Sequence, residues 1–186
     1  MGNPGAGSAG PACRAVTTGP AGAVDSADLV RAVQRGDRLA ASELLDLLTP
    51  YVARLCGPIA LQDGPDATQE ALIVILRGIG TLREPAALFG WARVIAVREA
   101  VRVARAASRA VPDPLDEVPA RDNPQLAADV RDVLERLTPA HRAVLVLRDL
   151  EGFDEHAVSA LLGVPESTVR TRLFRARRTF RKAWER

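Results

Sequence analysis

Aromatic residues are scarce in this 186-residue chain, at 4% of the sequence, although 47% of the residues are hydrophobic. Any core must therefore be built mainly from Ala, Val, Leu and Ile. Few segments alternate apolar and polar residues, and most of the chain repeats its apolar residues with a period near 3.6, which indicates helices. The sequence therefore predicts an all-α protein, long enough for one ordinary domain or two small ones.

Three further absences narrow the class of protein. No uninterrupted apolar stretch approaches about 18 residues, so no membrane span is expected. The N-terminal stretch lacks a basic start followed by an apolar run, so it does not resemble a signal peptide. Cys13 and Cys56 lack metal-ligand spacing, and two such cysteines are expected to stay reduced. These features predict a cytoplasmic protein.

The usual residues of catalysis are also missing. His141 and His156 are isolated, and no Gly-rich phosphate loop follows a predicted strand. No Cys, His and carboxylate residues share metal-ligand spacing. We therefore expect no catalytic residues, no metal site and no cofactor.

The charges of the chain nearly cancel but are unevenly distributed. The net charge is +2, and Lys182 is the only lysine. Residues 112–135 hold seven acidic and two basic side chains, whereas residues 165–186 hold eight basic and two acidic ones. This asymmetry indicates a basic surface that the small net charge conceals.

Composition divides the chain into two small helical domains, residues 25–109 and 126–186. Residues 1–24 are rich in Gly, Ala and Pro and are interpreted as a disordered tail. Residues 110–125 hold four prolines and four acidic residues, which predict a flexible acidic linker. The first helix of the first domain is predicted from Asp25, with Ser26 or Asp25 as its N-cap. The other three are predicted from Ala40 to about 56, from Gln69 to 78 and from Ala86 to about 109.

The second domain contains the pattern of a helix-turn-helix. Thr138 and Asp154 are candidate N-caps for helices over 139–150 and 155–162. Gly163 supplies a tight turn, and a proline then opens a longer helix. In this motif the second helix can lie in the major groove of DNA.

The longer helix has two different faces. Its apolar side chains lie within about 60° of each other on a helical wheel and are expected to pack on the preceding helix; they are Val169, Leu173, Ala176 and Phe180. The opposite face carries Ser167, Thr171, Phe174, Arg175 and Arg178. Arg can grip guanine or phosphate, Ser and Thr can bond phosphate or base edges, and Phe can meet a thymine methyl. A solvated basic helix without a ligand is the alternative, but the turn, the opening proline and the outward face together favour DNA.

The segment LTPAHRAVLVLRDLEGFDEHAVSALLGVPESTVRTRLFRARRTFRKAW resembles region 4 of bacterial sigma factors of the extracytoplasmic-function (ECF) group. The resemblance implies that this domain reads the −35 promoter element. It implies base contacts by Thr171, Phe174 and Arg175. Phosphate contacts are expected from Ser167, Arg170, Arg172 and Arg178, and Thr168 is a further DNA-binding candidate. The sequence departs from the family at Glu155, where an aromatic is common, and at Ser159, where Ala is usual.

The first domain resembles region 2 of the same family. DATQEALIVILR is similar to a segment that docks on the coiled coil of the polymerase β′ subunit, which implies polymerase contacts by Asp66, Gln69 and Glu70. The alternative is that these side chains cap and solvate a core helix.

ALFGWARVIAVREAVRVAR resembles the following segment of region 2, which contacts the −10 element. The −10 candidates are Trp91, Arg98, Arg102 and Arg105. The arginines form, with Arg109, one basic stripe along a helix, which suits a phosphate backbone or pairs with the acidic linker or an acidic partner. Leu72 and Leu76 replace family aromatics and Arg98 replaces an Asn, so the residues that hold an unstacked base are unassigned; the loop 81–87 is one candidate.

The resemblance implies a sigma subunit that binds core RNA polymerase through β′ and β and directs promoter-specific initiation. It implies contact with double-stranded promoter DNA and with the melted −10 strand, in the cytoplasm and nucleoid of a bacterium. An anti-sigma factor is a further candidate partner. The alternative is a stand-alone helix-turn-helix regulator. The charge asymmetry also suggests the hypothesis that the acidic linker mutes DNA binding by the free chain.

Overall fold

The computed structural model describes residues 25–110 and 126–184, and these residues form helices and short turns without strands. The helices are α1 (Ser26–Gln34), α2 (Arg38–Ala60), α3 (Gly64–Gly78), α4 (Leu88–Ala110), α5 (Leu126–Glu135), α6 (Pro139–Leu145), α7 (Glu155–Leu162) and α8 (Glu166–Trp184). The predicted all-α class is confirmed. The predicted tail and all but the first residue of the predicted linker lie outside the described residues.

Local signals in the sequence determine where several helices begin. The carboxylate of Asp25 accepts a hydrogen bond from the amide of Ala27 over 3.1 Å, and Asp154 accepts one from Ala157 over 2.7 Å. The Thr138 hydroxyl accepts one from the His141 amide over 3.4 Å. These bonds satisfy amides that have no partner inside the helix. The predicted caps are therefore confirmed.

The predicted bounds of α2, α3 and α6 are wrong. Helix α2 begins two residues before Ala40, because Asp37 caps it, and continues to Ala60. Helix α3 begins at Gly64 rather than Gln69, so Asp66 lies inside the first turn and does not cap the helix. Pro65 fits there because the first helical amides need no acceptor. The helix expected over 139–150 is α-helical only to Leu145 and continues as a π-helical turn, Val146–Leu150.

Helices α1 to α4 form a front bundle, in which α2, α3 and α4 pack pairwise against one another. Most of its fully buried side chains are aliphatic, and they include Leu44, Leu48, Val52, Leu55, Ala67, Ala71, Ile75, Leu88, Ala92, Ala96, Val97 and Ala100. Alanines on facing helices allow close approach without aromatic filling. At the corner between α2 and α3 the backbones nearly touch, because a Cβ added to Gly64 would lie 3.0 Å from the Gly57 Cα.

Helices α6, α7 and α8 form the rear bundle around Val144, Leu147, Val158, Val169 and Leu173. The front and rear bundles pack on each other, since α6 contacts α2 and α4, and α7 contacts α4. Their buried side chains belong to one continuous hydrophobic cluster. Polar contacts also cross the junction: Arg54 pairs with the nearly buried carboxylate of Glu151 at 3.1 Å, and the Arg93 guanidinium lies 4.6 Å from the centre of the Phe153 ring.

One stretch, Arg38–Thr81, is long and apolar enough to pass a composition test for a membrane span, with a mean hydropathy of 1.3 in its 18-residue window. The stretch is not one straight helix, because it comprises α2, a 3-10 turn (Leu61–Asp63), α3 and a second 3-10 turn. Its buried leucines pack against α4 in the front bundle. Many of the apolar residues of this stretch are therefore core residues, whereas Leu39, Ile73 and Val74 are exposed.

Candidate nucleic-acid and protein interfaces

Helix α8 packs on α6 and α7 through its apolar stripe. Val169, Leu173 and Ala176 are buried, as the sequence predicts. Phe180 is half-buried, and its ring stacks on that of Trp184 with the centres 6.0 Å apart. The stripe holds the opposite face of α8 towards solvent.

The outward face of α8 combines hydrogen-bonding groups, an aromatic ring and two cations. Its exposed residues are Ser167, Thr171, Phe174, Arg175 and Arg178. Phe174 is 65% exposed, although solvation of a phenyl ring is unfavourable. The Thr171 hydroxyl donates to the Ser167 carbonyl over 2.9 Å and keeps its acceptor capacity. A helix with this face is suited to insertion into a groove that offers base edges and phosphates.

The remaining three predicted residues of the helix have other surroundings. Thr168 and Arg172 are half-buried, and Arg172 faces α4. The Nε atom of Arg170 lies 3.0 Å from Glu155 on α7. Glu155 is one of the two departures from the family pattern, so this ion pair gives it a local role.

Two more contacts fix the orientation of α8. The Arg177 Nε donates to the Asp149 carboxylate over 2.9 Å, which ties α8 to the π-helical turn and raises the pKa of Arg177. In the turn before α8, Gly163 has φ +63°, which glycine adopts without strain. The hydroxyl of Ser159, the second departure from the family, donates to the Val164 carbonyl over 2.6 Å and closes this turn.

His141 lies in the first turn of α6, the helix that packs against α8. Its pKa is lowered by partial burial and then by the positive charges of Arg175 and Arg172. The imidazole therefore stays neutral near ordinary pH and adds no positive charge beneath the arginines.

Helix α4 exposes the predicted basic stripe, which consists of Arg98, Arg102, Arg105 and Arg109. The Arg102 guanidinium lies 2.6 Å from Glu99 and 3.5 Å from Glu70, and its bond to Glu99 raises its pKa. Trp91 is half-buried in the packing of α4 on α3, since a Cβ added to Gly78 would lie 3.1 Å from the Trp91 ring. Most of the predicted −10 residues thus share a surface, whereas Trp91 packs partly inside the bundle.

An apolar groove lies between α2 and α3, with a volume of about 910 Å³. Leu45, Thr49, Leu72 and Leu76 line it, and Gln69 stands at its edge. Asp66 and Glu70 are exposed on the same helix. The groove itself was not predicted from the sequence. The available signal was the run from Leu72 to Leu76, which is apolar on more faces of α3 than a single core can cover.

The single cysteine of the described residues is buried in the front bundle. The Cys56 Sγ lies 3.6 Å from the Ala96 carbonyl oxygen. Burial raises the pKa of this thiol to about 11, against a smaller lowering by Thr68. Among the described residues no three His, Cys, Asp or Glu side chains are grouped closely enough to hold a metal ion.

Comparisons with known proteins identify the family of this chain. The family model described as Sigma-70, region 4 matches residues 127–180. The ECF RNA polymerase sigma factor SigM of Mycobacterium tuberculosis is 32% identical over 171 residues, which cover 89% of this chain and 87% of SigM. The ECF RNA polymerase sigma factor SigE of Mycolicibacterium smegmatis is 35% identical over 131 residues, which are 64% of this chain and about half, 51%, of SigE.

A solved structure shares the fold. It is that of the sigma factor RpoE in complex with the anti-sigma factor NepR from Bartonella quintana, with a TM-score of 0.59 and 18% identity. The match covers 77% of this chain and 96% of that one. The chain belongs to the extracytoplasmic-function group of RNA polymerase sigma factors.

Proposed function

We propose that this chain is a dissociable initiation subunit that binds core RNA polymerase and directs it to promoters, with no catalytic step of its own. The outward face of α8 carries the proposal, because it presents Phe174 and Arg175 above a buried aliphatic stripe. Membership of the sigma family supports the same function. The site of action is the cytoplasm, and we propose that the chain associates with the nucleoid.

For the −35 element, Thr171, Phe174 and Arg175 read base edges in the major groove. Ser167, Thr168 and Arg178 contact phosphates, which position the helix without carrying sequence information. Arg170 and Arg172 are engaged with Glu155 and with the α4 side of the molecule. They contact phosphates only after those arrangements are broken.

For the −10 element, Arg98, Arg102 and Arg105 contact the backbone of the promoter, including the melted strand. Their exposure on one face of α4 supports this role, because a line of cations can follow a phosphate backbone. Trp91 can contact a base only through the edge of its ring that α3 leaves uncovered. Arg102 must exchange its carboxylate partners for phosphate.

For the polymerase, the groove between α2 and α3 receives a helical element of the β′ subunit, and Asp66, Gln69 and Glu70 make polar contacts at its rim; the β subunit is the second contact. An apolar groove with polar residues at its edge is a common way to bind an amphipathic helix. Glu70 also pairs with Arg102. Polymerase binding at Glu70 would therefore remove one of the two carboxylate partners of Arg102 and leave the closer one, Glu99.

Promoter binding requires the front and rear bundles to separate. The −35 and −10 elements lie about 25 base pairs apart, as their position numbers state. At about 3.4 Å per base pair, this separation is roughly 85 Å along a duplex. A compact chain of this length has a radius of gyration of about 16 Å. The packed arrangement is therefore the form of the free chain, and the form on promoter DNA is extended.

An anti-sigma protein is a further proposed partner. The Bartonella quintana relative of this fold was solved with the anti-sigma factor NepR. The exposed Ile73 and Val74 on α3 support a surface on this chain that a protein partner covers.

Run-off transcription with purified core polymerase on genomic fragments tests the function directly. The chain is expected to co-migrate with core enzyme and to direct it to discrete start sites. Replacing both Gln69 and Glu70 by Ala should remove co-migration and transcripts, whereas Glu43→Ala, exposed on α2, should remove neither. Specific DNA binding without any polymerase binding would instead indicate a stand-alone regulator.

A further inference from the structure

A cleft of about 450 Å³ lies where α4 faces the rear bundle, and arginines from both bundles line it. Helix α4 contributes Arg98, Arg102, Arg105 and Arg109, and α8 contributes Arg172. None of the described residues that line the cleft is acidic. The cleft therefore gathers five positive charges from segments more than sixty positions apart in the sequence.

These charges are poorly compensated by the described part of the chain. Arg102 has two carboxylate partners, Glu99 and Glu70. For the other four arginines, no described carboxylate oxygen lies within the 4.0 Å that defines an ion pair. The pKa of His141 on α6 is lowered by partial burial and, to a smaller extent, by the positive charges of Arg175 and Arg172. Like charges held in one cleft repel each other, and a bound anion would relieve that repulsion.

The shape of the cleft selects for a small ligand. Its volume lies within the range of about 300–1,000 Å³ that is typical of small-molecule sites. The cleft is too small to hold a DNA duplex, because the major groove of a duplex is about 12 Å wide and the duplex itself is wider still. The wall also includes the apolar side chains of Val101 and Leu161, against which a flat ring could pack. Arginines hold phosphate oxygens with paired, charge-assisted hydrogen bonds, and several arginines together favour a ligand with more than one phosphate.

We propose that this cleft binds a small polyphosphate anion, supplied either as a nucleoside triphosphate or as inorganic polyphosphate. Because its arginines come from the front and rear bundles, the bound anion holds the two bundles together. It also occupies Arg98, Arg102 and Arg105, the residues proposed for the −10 element, so it competes with DNA. The anion site itself does not depend on the proposed function, because binding requires neither polymerase nor promoter.

Calorimetric titration and thermal unfolding of the full chain test this inference. The probes are GTP and inorganic tripolyphosphate, without divalent metal, compared with NaCl at equal ionic strength. At a ligand concentration of about 100 times Kd, Tm should rise by several degrees. A larger rise with GTP would identify a nucleotide as the source, and an equal rise would identify the phosphate chain alone.

Matched variants separate a built site from general attraction to a basic protein. The double variant Arg105→Gln with Arg172→Gln removes one cleft arginine from each bundle and should weaken binding at least tenfold. The control, Arg35→Gln with Arg38→Gln, removes the same charge from exposed positions outside the cleft and should bind as the natural chain does. Far-UV circular dichroism checks folding, and Arg109→Gln alone serves if the double variant does not fold.

Equal weakening in both double variants, or a response no larger than that to NaCl, would overturn the proposal. Neither result would bear on polymerase binding, which run-off transcription measures separately.

Discussion

The Arg142 side chain joins the two bundles, because its Nε donates to the carbonyl oxygen of Ile59 over 2.6 Å. Its Nη1 donates to the Leu134 carbonyl over 3.2 Å. Both carbonyls lie in last turns, of α2 and α5, where they have no partner within their own helix. Arg142 is 6% exposed, and burial lowers its pKa to about 10 against the opposing effect of Glu135 and Asp63. One buried guanidinium therefore serves two helix ends across the junction.

Replacing Arg142 by Met should destabilise the packed form. The Ile59 carbonyl would lose its side-chain donor, whereas the Leu134 carbonyl would keep the Leu137 amide, so we expect a loss of about 1–3 kcal/mol for one unsatisfied group. Urea unfolding measures the loss, and energy transfer between dyes on the front and rear bundles measures their separation. Arg35→Met, on the surface, is the control. Similar small losses in both variants would show that Arg142 does not hold the bundles together.

Arg175 and Arg178 should differ in their effect on DNA binding. Arg175→Ala is expected to cost about 1–3 kcal/mol and to relax the preference at one base pair, because a base contact is lost. Arg178→Ala should weaken all sequences alike and reduce the salt dependence, because a phosphate contact is lost. Binding titrations of the isolated chain or the holoenzyme at several salt concentrations, on matched and mismatched −35 sequences, measure both effects. Equal losses on every sequence for both variants would remove Arg175 from the base readers.

Ile73→Glu should weaken polymerase binding without unfolding the chain. Ile73 is 36% exposed next to the apolar groove, and a Glu side chain there would place an uncompensated charge in the apolar contact with the polymerase. The affinity for core polymerase, measured by fluorescence anisotropy, should therefore fall at least tenfold. Leu39→Glu is the matched control, because Leu39 is an aliphatic residue 78% exposed at the start of α2. Equal affinities for the two variants would place the interface elsewhere.

Gly163→Ala should lower the stability of the rear bundle by about 1–2 kcal/mol, because an L-residue is strained in the left-handed conformation. The φ of Gly163 is +63°, and no atom crowds the added methyl, so the expected loss is conformational. Gly90→Ala, inside α4 and equally uncrowded, should have no effect or raise stability. Thermal unfolding of both variants measures the difference in stability between them. Equal stabilities would show that the turn relaxes to accommodate the alanine.

The Cys56 thiol should resist alkylation until the front bundle opens. It is fully buried with a pKa raised to about 11, whereas the ordinary value is 9.0. In a Cys13→Ser chain, iodoacetamide at pH 8 should label Cys56 in urea but not in buffer. Between about pH 9 and pH 11 the unfolded chain releases a proton that the folded chain keeps, so this group lowers stability as pH rises. Rapid labelling of the folded chain would show that the bundle opens readily.

Much of the local structure follows from short-range patterns. The N-caps at Asp25, Thr138 and Asp154, the turn at Gly163 and the buried stripe of α8 are all predictable, because each depends on residues within about two helical turns. The starts of α2 and α3 were less predictable. Asp37 and Pro65 are compatible with a helix start as well as with a loop, and only packing of the first turn decides between them.

Contacts between residues that are far apart in the sequence were not predictable from the segment that contains either residue. Two predicted phosphate contacts have other surroundings, since Arg170 is paired with Glu155 and Arg172 faces α4. A helical wheel places a side chain on a face but does not say which neighbour that face meets.

The sequence by itself determined the helices, their caps, the basic and apolar faces of α8, and the family. The tertiary structure alone decided that the front and rear bundles share a core, that a groove opens beside Gln69, and that five arginines line one cleft. The reason is distance along the chain: Ile59 and Arg142 are 83 residues apart. Helix formation and capping are local, whereas such contacts exist only after the helices have packed.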